Sequence, residues 1–506
     1  MSFRAEALTR HLSFAPDPKA LFAALEGAVL FETGDASSAS ERRSILVTDV
    51  AVRLEVRGLR VRALAVSVHG RAVLASMARA LAPFVVDGGP ALLDLAFPRG
   101  AAGDDAARLV LPSPLDAIRA LVDADVHGDR TAHAVFAAVR FGYDLCEVFE
   151  PLPPPRTPGH GLPDAVALLA EGAIVIDGAA ATTRIYAAAF GDAPTALPDA
   201  AARLAQATAV ISTLGDDAFT PRAAPSVRAT VDHGDAEFAA LVTTLREHVY
   251  AGDVFQIVAS RTFSAPCSDP LSAYARLASQ NPSPYQFVWS EPGALVFGAS
   301  PEAAVRVTRA DGERRLHLHP IAGTRRRGAT ADEDDRIEAE LRLSTKEVSE
   351  HMMLVDLARN DVARVCVAGT RRVARLLATE RYSQVMHLVS EVTGTLRPEI
   401  DALRAYAACA NMGTLVGAPK LRAAELLREH EPSKREVYGG AIGWLSHDGT
   451  FDSAIVIRSA LVKDGNAHVR AGAGIVADSD PAAEADETSR KARAVLRALG
   501  ATEVAS

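Results

Sequence analysis

Two pairs of carboxylates give the strongest chemical signal in this chain. Glu347 and Glu350 stand three residues apart in Lys346–Asp361, and Glu484 and Glu487 repeat that spacing in Pro481–Thr488. Both segments read as helices, so each spacing puts its two carboxylates on one face. Two such faces suit a hard divalent cation. Mg2+ takes oxygen ligands and keeps waters, so one or two carboxylates plus a substrate anion suffice. A plainer role also fits. Ser344 and Glu347 make a capping-box pair, and Glu484 sits in a first turn where an acid is favourable without any metal.

Gly323 and Thr324 follow a strand-like Arg315–His319 in a turn, where backbone N–H groups and a hydroxyl can meet a carboxylate. Gly472, Ala473 and Gly474 form a second small-residue stretch, read as a strand-loop, that lets a ligand approach the backbone. Arg458 ends the apolar strand-like run Phe451–Arg458; it either pairs with an acid or grips an anionic ligand. Glu302 follows an apolar strand and a turn, and a carboxyl in a partly apolar site can act as a general acid. His387 interrupts the apolar run Val385–Val389, where a hydrogen-bonded core histidine is the competing explanation. These residues together describe an anion-binding site, with or without Mg2+.

The elements that must hold them are legible mainly after residue 230. Phe238, Leu241, Val242, Leu245 and Val249 have the spacing of one buried helix face, with Asp235 as a candidate cap. Val254–Arg261 reads as a strand in which Gln256 shares a face with Val254 and Val258. A buried amide there needs partners. Pro481 fits a first helical turn capped by Asp480. In the first half, Ser44–Val47, Val61–Val66 and Ala173–Ile176 read as strands, and Pro18–Leu25 and Pro114–Val122 as helices. Their irregular alternation favours an α+β fold over a regular βαβ array. Pro151–Pro158 and Gly215–Gly234 read as loops. The second marks the expected junction between domains 1–230 and 231–506.

Composition bounds the class. Of 506 residues, 49% are hydrophobic and 23% charged, which is ordinary for a globular chain. The net charge of −9 gives no basic footprint for nucleic acid. No apolar run reaches membrane-spanning length, and the first residues carry charges where a signal peptide needs an apolar core. Cys146, Cys267, Cys366 and Cys409 stand far apart and form no C-x-x-C pair, so a cytoplasmic chain with reduced thiols is expected.

Taken together, the segments resemble the chorismate-utilising enzymes, and among them the large-subunit (component I) family of anthranilate synthases. The matching stretches are Gly252–Gln256, Asn281–Tyr285, Gly298–Glu302, Pro320–Arg325, Lys346–Asp361, Met386–Leu388, Gly413–Lys420, Tyr438–Gly440, Ile457–Arg458 and Gly472–Glu487. They keep the family's order across nearly all of 235–495. Leu30–Thr33 and Phe141–Leu145 match more loosely. The resemblance implies largely antiparallel sheets packed with helices, with a smaller N-terminal α+β domain interleaved with the synthase domain. It implies conversion of chorismate and ammonia to anthranilate and pyruvate, the first step of tryptophan biosynthesis. It assigns Mg2+ to Glu347, Glu350, Glu484 and Glu487. The substrate carboxylates fall to Gly323, Thr324, Tyr438, Arg458 and the Gly472, Ala473, Gly474 backbone. Glu302 becomes the acid, with His387 and Thr414 lining its end of the pocket.

Gln256 stands where water-adding relatives carry a Lys, and an amide cannot serve as a base at neutral pH. Ala322 stands where aminodeoxychorismate synthases often carry a nucleophilic Lys. Both favour amination at C2. The alternatives are an aminodeoxychorismate synthase component I and a synthase that releases 2-amino-2-deoxyisochorismate; a non-enzymatic tryptophan-sensing subunit would not keep these acids. No cysteine sits in a glutaminase elbow, so the resemblance implies a separate glutamine amidotransferase subunit, anthranilate synthase component II. It also implies a site for L-tryptophan as inhibitor at Glu32, Thr33, Pro284, Tyr285 and Gln286, where Gln286 replaces the family's usual Met.

Overall fold

The computed structural model describes residues 2–34, 42–100, 105–382 and 385–505. The run Ala165–Asp177 is apolar at almost every position and is buried on both faces. That composition suits a strand with neighbours on both edges. It pairs antiparallel with Arg43–Arg57 on one side, and with Phe136–Phe141 and Thr182–Phe190 along other parts of its length. From it the strands spread into two wings. One runs through Val29–Glu32, Tyr285–Glu291, Ala294–Ser300, Ser459–Lys463 and Asn466–Ile475 to Gln256–Pro266. The other runs through Phe136–Phe141, Ala441–Ser446, Phe451–Ile455, Ala303–Ala310 and Glu313–Leu318 to Val385–Thr395.

Antiparallel pairing dominates; among the described strands only Phe3–Leu12 with Ala124–Gly128, and Val227–Val231 with Ala501–Ala505, run parallel. Helices pack on these sheets, so the class is α+β. Two of the joins cross residue 230: Val29–Glu32 pairs with Tyr285–Glu291, and Phe136–Phe141 with Ala441–Ser446.

Most of the expected elements form. Helices cover Pro18–Ala24, Leu115–Val122, Asp235–Ala251, Thr345–Val365 and Pro481–Leu499. Several boundaries differ, each for a local reason. Gly215–Gly234 is not all loop, because Val227–Val231 finds an edge beside Gln256–Pro266 and the C-terminal strand. The cap of Asp235–Ala251 is Gly234, whose N–H donates to Glu237 at 2.9 Å. Asp235 is instead spent on the buried Arg261, which donates to it at 2.7 Å. The strand after this helix is Gln256–Pro266, with Val254 packed in the core before it begins. Gly472–Gly474 lies inside the Asn466–Ile475 strand rather than in a loop, and Ile321–Arg326 is a strand with a bulge at Gly323, whose φ of 71° favours glycine.

Candidate active site

Four elements converge on one cavity of about 590 Å3. The Thr345–Val365 helix begins at Ser344, whose hydroxyl accepts from the Glu347 N–H at 3.4 Å. Only this half of the expected capping box forms, because the Glu347 carboxylate instead accepts from Arg325 at 2.8 Å. The Pro481–Leu499 helix is capped by Asp480, which accepts from the Ala483 N–H at 2.8 Å. These two helices bring Glu347, Glu350, Glu484 and Glu487 to the same cavity wall. The Gln256–Pro266 and Asn466–Ile475 strands, paired antiparallel, supply Gln256, Gly472 and Gly474. Ala473 does not face the cavity: strand side chains alternate, and it is fully buried on the opposite side, against Ala259.

Gly323, Thr324, His387, Glu302, Thr414, Tyr438 and Arg458 complete the lining. Added to Gly472, a Cβ would meet the Tyr438 hydroxyl at 2.9 Å; added to Gly474, it would meet the Gln256 amide nitrogen at 2.8 Å. Both glycines thus keep room at the cavity surface.

The electrostatics separate the roles. Glu302 is 9% exposed, and burial pushes its carboxyl up to about 7 against the opposing Thr414 hydroxyl, which donates to it at 3.1 Å. It therefore holds a proton near neutral pH and can donate it. Burial pulls the His387 imidazole down to about 4, so it is neutral; its Nδ1 lies 3.0 Å from the Thr324 hydroxyl. Burial also lowers Arg458, which has no carboxylate within 4 Å among the described residues and whose Nη1 donates to the Lys491 carbonyl at 2.8 Å. Glu487 acts on it only from beyond ion-pair distance, and a half-buried cation without a bonded carboxylate is a ready grip for an anionic ligand. Arg458 also adopts a φ of 50°, uncommon for a side chain of its size.

Burial and neighbouring carboxylates raise Glu350 and Glu484 above the ordinary range. Burial pushes Glu487 the same way, but the Lys491 cation, 2.7 Å away, outweighs it and holds Glu487 low. Among the described residues no three His, Cys, Asp or Glu side chains converge to hold a metal ion. The four glutamates share a wall without closing on one point, because Arg325 and Lys491 each occupy one of them. The all-oxygen donor set, with two acids raised by burial and by the neighbouring Glu347 and Glu487 charges, still fits a hard dication.

Lys491 was not among the residues expected from the sequence. It touches both Glu487 and the Gly472 carbonyl, at 2.9 Å, and its i, i+4 spacing from Glu487 was the available signal.

A second cavity, of about 350 Å3, is lined by Glu32, Thr33, Pro284, Tyr285 and Gln286 together with Trp444 and Arg306. The pairing of Val29–Glu32 with Tyr285–Glu291 sets Glu32 opposite Gln286. The Glu32 carboxylate is held internally, by Lys19 at 2.9 Å and by the Tyr274 hydroxyl. Gln286 donates to the Ala278 carbonyl at 3.1 Å, and the Tyr285 hydroxyl to Asp452 at 3.2 Å.

This fold, with facing glutamates, a protonated buried acid and a half-buried arginine free of close carboxylates among the described residues, defines an enzyme that binds a small anionic substrate. Residues 101–497 match the model of the chorismate binding enzymes, and the chain belongs to that family. It is 46% identical over 489 residues to the pyocyanine-specific anthranilate synthase component 1 of Pseudomonas aeruginosa, covering 94% of this chain and 90% of that one. It is 43% identical over 509 residues to anthranilate synthase component 1 of Escherichia coli, covering 98% and 96%. The crystal structure of anthranilate synthase component I from Streptococcus pneumoniae superposes with a TM-score of 0.70 at 29% identity, over 90% of this chain and 92% of that one. The menaquinone-specific isochorismate synthase MenF of Escherichia coli, 16% identical with a TM-score of 0.68 over 98% and 95%, shares the fold. Within the family the chain belongs with the anthranilate synthase component 1 enzymes, which are lyases.

Proposed function

We propose that the larger cavity aminates chorismate at C2 with ammonia and then expels pyruvate to leave anthranilate. The observation that carries this reading is the pairing, in one cavity, of a proton-bearing Glu302 with a half-buried Arg458 that has no carboxylate within 4 Å among the described residues. Arg458 and the Tyr438 hydroxyl, with the backbone around Gly323 and Gly472, hold the substrate carboxylates. Glu302 gives its proton to the C4 hydroxyl, which leaves as water while ammonia bonds to C2 and sheds one proton. Loss of the C2 hydrogen then expels the enolpyruvyl group as pyruvate and aromatises the ring. The overall balance is chorismate plus ammonia to anthranilate, pyruvate and water. His387 is neutral and placed beside Thr324, so it is able to accept a proton in the second step. Mg2+ held by Glu350 and Glu487, flanked by Glu347 and Glu484, would neutralise a ring carboxylate. Ala322 puts only a methyl group into the cavity, so no covalent amine carrier is available at that position.

The ammonia comes from a glutamine amidotransferase subunit, in keeping with the component 1 names of the relatives. The second cavity takes L-tryptophan as feedback inhibitor; its aromatic Trp444 and its mix of charged groups suit an amphipathic amino acid. No described helix is long and apolar enough to cross a membrane, and the proposed setting is the cytoplasm.

The test is direct. The purified chain is mixed with chorismate, Mg2+ and ammonium at mildly alkaline pH, and the product is identified by fluorescence and mass. Anthranilate that disappears on adding EDTA is expected. An aminated chorismate that keeps its enolpyruvyl group would replace this reading by one of the two amination alternatives, and the ring position of the amine would say which.

A further inference from the structure

Amination takes a proton from Glu302 at C4 and sheds one from nitrogen at C2, on a different carbon of the ring. Glu302 must regain a proton before it can act again, and bound substrate covers its face in the catalytic cavity. Its other face meets a small cavity of about 40 Å3. Glu302, Thr414 and Leu354 line both spaces, so the acid stands in the wall between them.

Strand pairing decides what else reaches this space. Ala303–Ala310 and Glu313–Leu318 run antiparallel with Arg306 opposite His317. Glu302, just before the first strand, and His319, just after the second, therefore lie at the same end of the ribbon. His319 lines the small cavity. Its side chain is 24% exposed, yet its Nδ1 is buried and has no hydrogen-bond partner among the described residues. Its Nε2 lies 4.0 Å from the Glu391 carboxylate, which is itself 27% exposed. A buried ring nitrogen needs a partner. A water needs roughly 10–15 Å3 and two to four polar neighbours, and this cavity has that volume and offers Glu302, Thr414, Asp361 and His319.

The other titratable groups nearby are committed elsewhere. Asp361 accepts from the Lys420 ammonium at 2.6 Å. His317 is bonded at both nitrogens, to Glu391 at 2.8 Å and to the Thr308 hydroxyl at 2.9 Å. Burial holds the His319 imidazole below its ordinary value; Glu391 and Glu380 oppose that shift, while His317 and Arg306 add to it. A neutral imidazole has one N–H and one bare nitrogen, so it can take up a proton on one side and release one on the other.

We propose that His319 recharges Glu302 through a water held in the small cavity. The proposal rests on the ammonia-using reading above. A proton enters at Nε2 beside Glu391, the Nδ1 proton passes to the water, and the water passes one of its own to the Glu302 carboxylate. Only N–H and O–H bonds form and break, and no electron is transferred. The ring is left as its other neutral tautomer and resets by exchange with solvent after product leaves. His319 touches no reacting atom; it is a positioning residue for the proton that Glu302 uses.

The test uses the full chain with chorismate, Mg2+ and ammonium. His319→Gln and His319→Ala are compared with the unaltered chain. Recharge follows loss of the C4 hydroxyl, so kcat should fall while kcat/KM for chorismate stays unchanged. The expected fall is about tenfold, smaller than the roughly 10²-fold or more expected from removing an acid itself. Added imidazole should restore kcat in His319→Ala, where the space of the ring is open, and not in His319→Gln. A role in packing alone predicts that kcat/KM falls with kcat and that imidazole does nothing. That result would overturn the proposal, as would unchanged kcat in both variants. The unaltered chain gives a check that needs no variant. In mixtures of light and heavy water its kcat should fall along a curve, because several protons move together, and a straight line would overturn the relay. An unaltered chain that forms no anthranilate from ammonium would fail the reaction reading instead, a result seen before any variant is made.

Discussion

At the scale of single residues, Glu302 is the group whose environment decides most. Burial raises it to about 7, so the acid form persists to neutrality and is lost as pH rises through that value. Turnover normalised to the concentration of free ammonia should therefore fall above about pH 7, and pH profiles of kcat/KM will show it. Glu302→Gln should cost about 10²–10⁴-fold in kcat and flatten that limb. The sign for stability runs the same way. The folded state binds the Glu302 proton more tightly than the unfolded state, so the side chain becomes destabilising between pH ~4.5 and ~7, by at most about 3 kcal/mol. Glu302→Gln should thus raise Tm at pH 8 relative to the unaltered chain and change it little at pH 4.5. The metal assignment is tested on Glu350 and Glu487. Either one changed to Gln should abolish Mg2+-dependent turnover and weaken Mg2+ binding by calorimetry while the circular dichroism stays native. Full activity in both would remove Mg2+ from this wall.

At the scale of elements, the two helix starts do the positioning. Ser344 and Asp480 tie down the first turns that carry Glu347 and Glu484, so four acids on two helices face one space. The regulatory reading depends on a strand pair. Val29–Glu32 lies against Tyr285–Glu291, which places Thr33 beside the start of that strand, at Pro284–Gln286, although more than 250 residues separate them. Glu32 is already engaged by Lys19 and Tyr274, while among the described residues the Gln286 amide donates only to the Ala278 carbonyl and keeps its carbonyl oxygen, beside Thr33, for a ligand. Thr33→Ala combined with Gln286→Ala should relieve tryptophan inhibition in steady-state assays. Inhibition of unchanged strength would place the effector elsewhere.

At the scale of the whole molecule, the sheet is continuous across residue 230. Phe136–Phe141 is buried at every position and completes the edge of Ala441–Ser446. Separating 1–230 from 231–506 would expose this edge and that of Tyr285–Glu291 as long apolar strands, a hazard for aggregation. Each half expressed alone should be insoluble or unfolded, and the intact chain should melt in one transition. A soluble, cooperatively folding 231–506 fragment would contradict that.

Glu347, Glu350, Glu484 and Glu487 were legible in the sequence because helical spacing is local, and so were the Asp480 cap and the buried face of Asp235–Ala251. The order of short Gly- and Pro-bearing segments was legible for the same reason: each turn or strand end needs particular residues at particular positions. What no local pattern contains is which strand lies beside which. That pairing turned Ala473 away from the cavity, made a strand of Val227–Val231 and brought Lys491 against the Gly472 carbonyl. It also determined the raised acid of Glu302 and the lowered guanidinium of Arg458. Those depend on how much water the surrounding elements exclude, and burial is a property of the assembled chain rather than of any segment within it.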